Sequence, residues 1–179
     1  MIIVIAPFSN DHIRDWPLLN FRALVGLCVA ETDSRIFLVG SASQRTAINV
    51  IVAPYSAQRV SNLAGRSSWR ETGDLIHRAD IVVANNSGIA HFSAKLGKAT
   101  LCLFSASHSP FEWRPLGPGV TTLFTPTGCS PCASSGIKLC PYGKACLEAI
   151  SPRLAFEWLV RAKGSIQQRD LTDTMAPMP

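Results

Sequence analysis

The sequence predicts an α/β domain built on a doubly wound parallel sheet, and three observations predict it. Short apolar runs rich in β-branched residues, such as Ile2-Ile3-Val4-Ile5-Ala6 and Ile81-Val82-Val83-Ala84, lack polar alternation. Strands buried on both faces read this way. Segments with helical apolar spacing lie between the runs. Small or polar turns close several of them, the sharpest being Asn85-Asn86-Ser87-Gly88.

In chain order, residues 2–6 form strand one, ended by Pro7, and a polar loop from Phe8 to Asp15 leads to Trp16-Pro17. Proline at a first turn, then Leu18, Phe21, Leu24, Val25 and Cys28, marks an amphipathic helix. Residues 35–40 form strand two, ending at Gly40. Residues 43–47 suit a short helix, and Asn49-Val-Ile-Val-Ala53 reads as a third strand stopped by Pro54. Residues 62–66 form a loop, and Ser67 or Ser68 caps a helix through Glu71, Leu75, Ile76 and Ala79. A strand and helix over 79–97 follow, then a strand at 99–104 and a long loop at 105–119 with three prolines. A sixth strand falls at 120–124. Ser151-Pro152 opens a last helix, and the domain is expected over residues 1–163, with a Cys-rich insertion at 128–147 and a frayed polar tail at 164–179.

In such a fold ligands bind at the carboxyl ends of the strands. The loops there are 8–15, 40–44, Ala53 onward, 85–88 and 105–114. The stretch 79–97 is the centre of this arrangement. A strand that turns abruptly into a helix through small residues presents free backbone N–H groups and the positive end of the helix dipole, which favour an anion such as a phosphate. The alternative use of the turn is a Ser87 side chain that only caps the helix.

Composition narrows the function. At 179 residues with nearly half apolar, the chain suits one globular core. Its net charge of +5 is mild and scattered, without basic–aromatic interleaving, so nucleic acid is not an expected partner. No apolar run approaches the roughly 18 residues of a membrane span. Residues 1–6 lack a basic region and lead into Pro7, so they read as a strand and not a signal peptide. A cytoplasmic, reducing setting is the resulting expectation.

The six cysteines fall into two kinds. Cys28 and Cys102 sit in apolar segments and read as core thiols. Cys129-Ser-Pro-Cys132, then seven residues to Cys140, then five to Cys146, make a dense four-thiol pattern. A C-x₂-C knuckle can give two sulfurs to one tetrahedral ion, with the second pair closing a structural site. Zinc is the commoner occupant. Disulfide pairing and free thiols are the other two readings.

The order of the loops resembles one family. Pro7 with its polar loop and Arg14-x-Trp16-Pro17, Gly40, Asn62-Leu-Ala-Gly65, Asn86-Ser87-Gly88-x-x-His91 and Phe104-Ser-Ala-Ser-His108 look like the carboxy-terminal half of the ADP-heptose heptosyltransferases, glycosyltransferase family 9. The match covers about residues 1–160. The resemblance implies one Rossmann-like half of a GT-B enzyme. That half would hold an ADP-sugar or other nucleotide-sugar donor for an inverting transfer in lipopolysaccharide or surface-glycan synthesis, with no catalytic metal.

Carried over residue by residue, the family's pyrophosphate turn falls on Asn86, Ser87 and Gly88, its phosphate-contacting lysine on Arg14, and a loop hydroxyl on Ser9. With no acidic residue after strand two, Gln44 or Ser43, beside Gly40, is left to meet the ribose. His91 is a candidate contact, although a helix histidine hydrogen-bonded on the sheet side is its commoner use. Arg14 has a plainer alternative as a solvated loop charge. Asn86 stands where the family has aspartate, which removes a charge that could contact the sugar. Some relatives of this kind carry a four-cysteine finger that holds iron, so the resemblance adds iron to zinc for Cys129, Cys132, Cys140 and Cys146.

No catalytic residue is expected here, because the family's base lies on an amino-terminal domain outside these residues. That base is typically worth 10²–10⁴-fold. The chain is therefore expected to bind donor without transferring sugar alone, with an amino-terminal GT-B domain or partner chain and the inner-membrane surface as its partners. A non-catalytic nucleotide-binding or assembly module with a structural metal is the competing function.

Overall fold

The structure, a computed structural model, describes residues 1–132 and 139–175, with side chains to residue 166. Six parallel strands form one sheet: β1 Ile2–Ala6, β2 Arg35–Leu38, β3 Val60–Asn62, β4 Ile81–Asn85, β5 Ala99–Phe104 and β6 Val120–Phe124. Their spatial order is β3-β2-β1-β4-β5-β6. The chain reverses direction across the sheet between β1 and β4, which pair from Ile3↔Ile81 to Ala6↔Ala84. A crevice opens at the carboxyl ends of strands where order reverses.

Seven helices cover the sheet among the described residues: α1 Leu18–Glu31, α2 Arg45–Val52, α3 Trp69–Arg78, α4 Gly88–Lys95, α5 Pro110–Trp113, α6 Ala145–Glu148 and α7 Pro152–Met175. Alternate strand residues enter two separate cores. Ile3, Ile5, Ile36, Leu38, Ile81 and Val83 pack with Phe21, Leu24 and Phe156 on one face. Val4, Ala6, Val82, Ala84 and Phe104 pack with Ile76 and Ala90 on the other. Continuous apolar strands are what two covered faces require. Cys28 lies in the first core and Cys102 in the second, as core thiols. Burial pushes both thiols up to about 12, with Glu31 adding to the rise at Cys28.

The structure corrects three expectations. Residues 49–52 are helical, not a strand: Ile48 and Ile51, three apart, are both fully buried by the α2 conformation. The third strand is Val60-Ser61-Asn62, which pairs with Ile36, Phe37 and Leu38, so the loop at its carboxyl end begins at residue 63 rather than at Ala53. The last helix continues past residue 163, because no proline interrupts it and Ala162 and Ile166 still pack on the core. One internal glycine, Gly164, costs only about 1 kcal/mol there. Residues 176–179 of the expected tail lie outside the described residues, as does Gly136 within the cysteine-rich stretch. Of the two candidate caps, Ser68 is the one used. Its Oγ accepts from Glu71 N at 3.2 Å, and Glu71 Oε2 accepts from Ser68 N at 2.7 Å. Among the described residues no helix is long and apolar enough to cross a membrane.

Candidate functional site

The loop after β1 is built around a buried carboxylate. Asp15 Oδ1 accepts from Ser9 N at 2.6 Å and Ser9 Oγ at 2.7 Å, and lies 3.4 Å from Asn85 Nδ2. Asn85 also donates to the Pro7 carbonyl at 2.8 Å and accepts from Trp16 N at 3.0 Å. Asp11 caps a 3₁₀ turn, His12–Arg14, through Ile13 N. These bonds fix the loop against the end of β4 and hold Arg14 at the crevice.

The crevice is a cleft of about 510 Å³ at the switch between β1 and β4. Six residues singled out from sequence line it together: Ser9, Arg14, Gly40, Gln44, Ser87 and Gly88. Two of them are already engaged by the protein. Ser9 Oγ is bound to Asp15 and to the Asp11 carbonyl at 2.7 Å, so it shapes the loop. Gln44 Oε1 accepts from Ser41 N at 2.9 Å. Asn86 is buried beside the cleft rather than in its wall, and its N–H donates to Leu103 O at 3.2 Å. His91 is exposed on α4 and does not line the cleft. His108 stands apart too, 3.0 Å from Ser107 Oγ.

Two buried polar atoms in this cleft lack protein partners, Arg14 Nε and Ser87 Oγ. Ser87 occupies the N-cap position of α4, yet its side chain makes no cap bond. Gly88 N and Ile89 N, the first amides of α4, have no main-chain acceptor among the described residues. A guanidinium, a hydroxyl and helix-start amides on residues that line one cavity are the groups an anion site uses. Buried polar atoms are otherwise almost always paired.

Further lining residues escaped the sequence reading. Trp69, 62 % exposed and 5.6 Å from the Phe92 ring, borders the cleft with Ser67, Thr72 and Phe8. No pattern in the sequence marks Trp69, because its exposure shows only once Ser68 is fixed as the cap and α3 is packed. Gly65 closes the Asn62-Leu-Ala-Gly65 pattern of the family resemblance, and the structure gives its physical reason. Its φ of +62 and a Cβ that would fall 2.5 Å from Ala42 Cα make glycine necessary where this loop passes the 40–42 turn.

The four clustered cysteines line a second cavity of about 400 Å³, with Ile13, Ser107, Tyr142 and Lys144 in its wall. All six cysteines are free thiols, so no disulfide joins the cluster. Cys146 Sγ accepts from Ala106 N at 3.4 Å and Cys140 Sγ from Lys144 N at 3.3 Å. Burial raises the Cys132 thiol, and the other three cysteines add to the rise. Among the described residues no three side chains stand together as a metal-ligand set.

Comparison with known proteins gives a consistent picture. Residues 1–143 match the sequence profile of glycosyltransferase family 9 (heptosyltransferase). The chain is 23 % identical over 113 residues to the lipopolysaccharide core heptosyltransferase OpsX of Haemophilus influenzae, covering 63 % of this chain and 32 % of that protein. The ADP-heptose heptosyltransferase II of Escherichia coli superposes with a TM-score of 0.77 at 24 % identity, over 93 % of this chain and 47 % of that one. The iron-containing dodecameric glycosyltransferase TibC of enterotoxigenic E. coli gives 0.70 at 13 % identity, over 92 % and 45 %. The chain thus spans about a third of the curated relative and about half of the solved chains, and the superpositions place its fold as one half of theirs.

Proposed function

The chain belongs to glycosyltransferase family 9, and from that membership we propose that its cleft at the β1/β4 switch holds the diphosphate of a nucleotide-sugar donor. The observation that carries the reading is the pair of unpartnered buried atoms, Arg14 Nε and Ser87 Oγ, in one cleft with the start of α4. ADP-heptose, named with the E. coli relative, makes an adenosine diphosphate sugar the first donor to test.

The chemistry follows from charge. Displacement at the anomeric carbon by an acceptor oxygen breaks the bond to the nucleoside diphosphate, and negative charge grows on the departing phosphate. A preorganised guanidinium and helix-start amides stabilise that charge more than the ground state. We therefore assign this chain the donor half of an inverting GT-B transfer. The acceptor and the base would come from an amino-terminal domain or partner chain, at the cytoplasmic face of the inner membrane.

The four cysteines form a secondary element of the proposal. Cys129, Cys132, Cys140 and Cys146 share one cavity, where Cys140 and Cys146 accept backbone N–H bonds. Cysteine sulfur is a donor type that suits zinc or iron, although no three of these side chains stand together as a ligand set among the described residues, and TibC is described as iron-containing. Bound there, a metal would supply structural cross-linking of the insertion.

A thermal-shift screen of ADP, UDP, GDP and TDP tests the donor site, because a ligand of the native state raises the unfolding midpoint. One of the four is expected to raise it at millimolar concentration. No shift from any of them overturns the proposal.

A further inference from the structure

We infer that Lys144, which lies outside the donor cleft, is a positioning residue for it: its ammonium holds the backbone next to Arg14 from the cysteine-lined side. The inference rests on the donor-site reading above and names a residue that this reading does not require.

The 3₁₀ turn His12–Arg14 is a wall between two cavities. Ile13 lines the thiol cavity, and its neighbour Arg14 lines the donor cleft. Lys144 lines the thiol cavity as well, and its Nζ donates to the carbonyl oxygen of Asp15, the residue after Arg14, at 2.7 Å. Trp16 is tied to the same segment, with Nε1 donating to the Leu147 carbonyl at 3.1 Å and the Ile150 carbonyl at 3.0 Å. Both residues that follow Arg14 are thus anchored to residues 144–150, far away in sequence.

The anchor sits in an unusual backbone state. Lys144 has φ 59 and ψ 40, directly after Gly143 at φ 58. A side chain longer than glycine's rarely adopts this left-handed conformation. Three bonds hold it there: Lys144 N donates to Cys140 Sγ, and the Lys144 carbonyl accepts from Leu147 N at 2.8 Å and Glu148 N at 3.0 Å. Backbone strain of this kind persists where the surroundings over-determine it, and such sites cluster at ligand clamps. A turn that needs only this geometry would be served by a second glycine. The lysine instead provides an ammonium that reaches the loop.

The consequence falls on Arg14. Its Nε has no protein acceptor, so that edge of the guanidinium is placed by the backbone rather than by a partner. A charged donor that is already in place binds an anion without the cost of ordering it. Loosening the Asp15 carbonyl would transfer that cost to ligand binding.

A double-mutant cycle on the full chain tests the inference, with ADP titrated calorimetrically into wild type, Lys144→Gly, Arg14→Ala and the double variant. Glycine accepts the left-handed backbone freely, so the unliganded midpoint is expected at or above that of wild type. The ADP Kd is expected to rise about tenfold in Lys144→Gly, and Lys144→Arg is expected to stay within about threefold of wild type. In the Arg14→Ala background, Lys144→Gly is expected to add less than about twofold, since coupled residues lose their effects together. A Lys144→Gly protein within twofold of wild type overturns the inference, as does a full tenfold loss on top of Arg14→Ala. If the glycine variant unfolds more readily, Lys144→Met, which keeps the stem, is judged by the same two criteria. Wild type that binds no ADP, UDP, GDP or TDP at millimolar concentration refutes the donor site itself, and this inference with it.

Discussion

Asn85 Oδ1 accepts the Trp16 amide at 3.0 Å across 69 residues of sequence. This bond joins the end of β4 to the loop that carries Arg14. The same side chain donates to the Pro7 carbonyl and faces the Asp15 carboxylate. Asn85 must therefore be an amide, since one end accepts and the other donates. Asn85→Asp would lose the donor and set a second buried negative charge about 3.4 Å from the first. The expected destabilisation is about 2–4 kcal/mol. It would be read as a fall of roughly 5–15 °C in unfolding midpoint. A midpoint unchanged within 1–2 °C, roughly the shift of half a kcal/mol, would show that the bond does not hold the loop.

Arg14 and Ser87 supply the unpartnered polar atoms of the cleft, and their removal should act on ligand affinity rather than on folding. Arg14→Ala is expected to weaken nucleoside diphosphate binding about 10–100-fold, the range for a hydrogen bond to a charged group. Ser87→Ala should cost about 3–10-fold, as a neutral donor does. Its midpoint without ligand should not fall, because the hydroxyl caps nothing. Equal affinities for wild type and both variants would move the anion site elsewhere.

The fold was legible where residues faced two covered sides of the sheet. Runs such as Ile2–Ala6 and Ile81–Ala84 carry that burial in their own composition. The error at 49–53 has the same origin. Val50-Ile51-Val52 reads as a strand by β-branching, but only Ile48 and Ile51 are fully buried, and packing overrides propensity there. β3 is three residues long and two of them, Ser61 and Asn62, are polar, so only its pairing with β2 identifies it. In the site, the small residues of 86–88 announce a helix-start turn. The Asn85–Trp16 and Lys144–Asp15 bonds join distant segments of otherwise ordinary sequence. No local pattern encodes them.

Gly65 tests how the 40–44 turn is held. Alanine there would meet Ala42 backbone at 2.5 Å and require a left-handed φ. The two effects together should destabilise by about 2–4 kcal/mol. Because the Ala42 turn borders Gly40 and Ser41 in the cleft wall, diphosphate affinity should fall in parallel. Gly88→Ala is the control. A Cβ at residue 88 meets nothing within 4 Å, so stability should hold while ligand affinity reports how closely the phosphate approaches.

Cys28 and Cys102 should make the protein alkali-sensitive. Both thiols are pushed up to about 12 in the folded state, against 9.0 for a free thiol. The sign follows from proton uptake. Below pH 9 both states keep the proton and nothing changes; between about 9 and 12 the unfolded state loses it and the folded state does not. Stability should fall there by up to about 1.4 kcal/mol per pH unit for each thiol. Urea midpoints of Cys28→Ala should decline less steeply with pH than those of wild type over that range. Identical slopes would show that Cys28 ionises in the folded protein.

The remaining four thiols decide what the insertion is for. Cys129, Cys132, Cys140 and Cys146 line one cavity, and burial together with the three neighbouring thiols raises Cys132. Held as thiols, they leave a loop with little apolar content to stabilise itself. A divalent ion would take all four as thiolates, and its binding energy would become folding energy. Protein purified without chelator is expected to carry close to one equivalent of zinc plus iron. Chelation should lower the unfolding midpoint and make all four cysteines reactive to alkylation, while Cys28 and Cys102 stay protected. Less than about a tenth of an equivalent would overturn the metal and leave free thiols packed against Ala106 and Lys144.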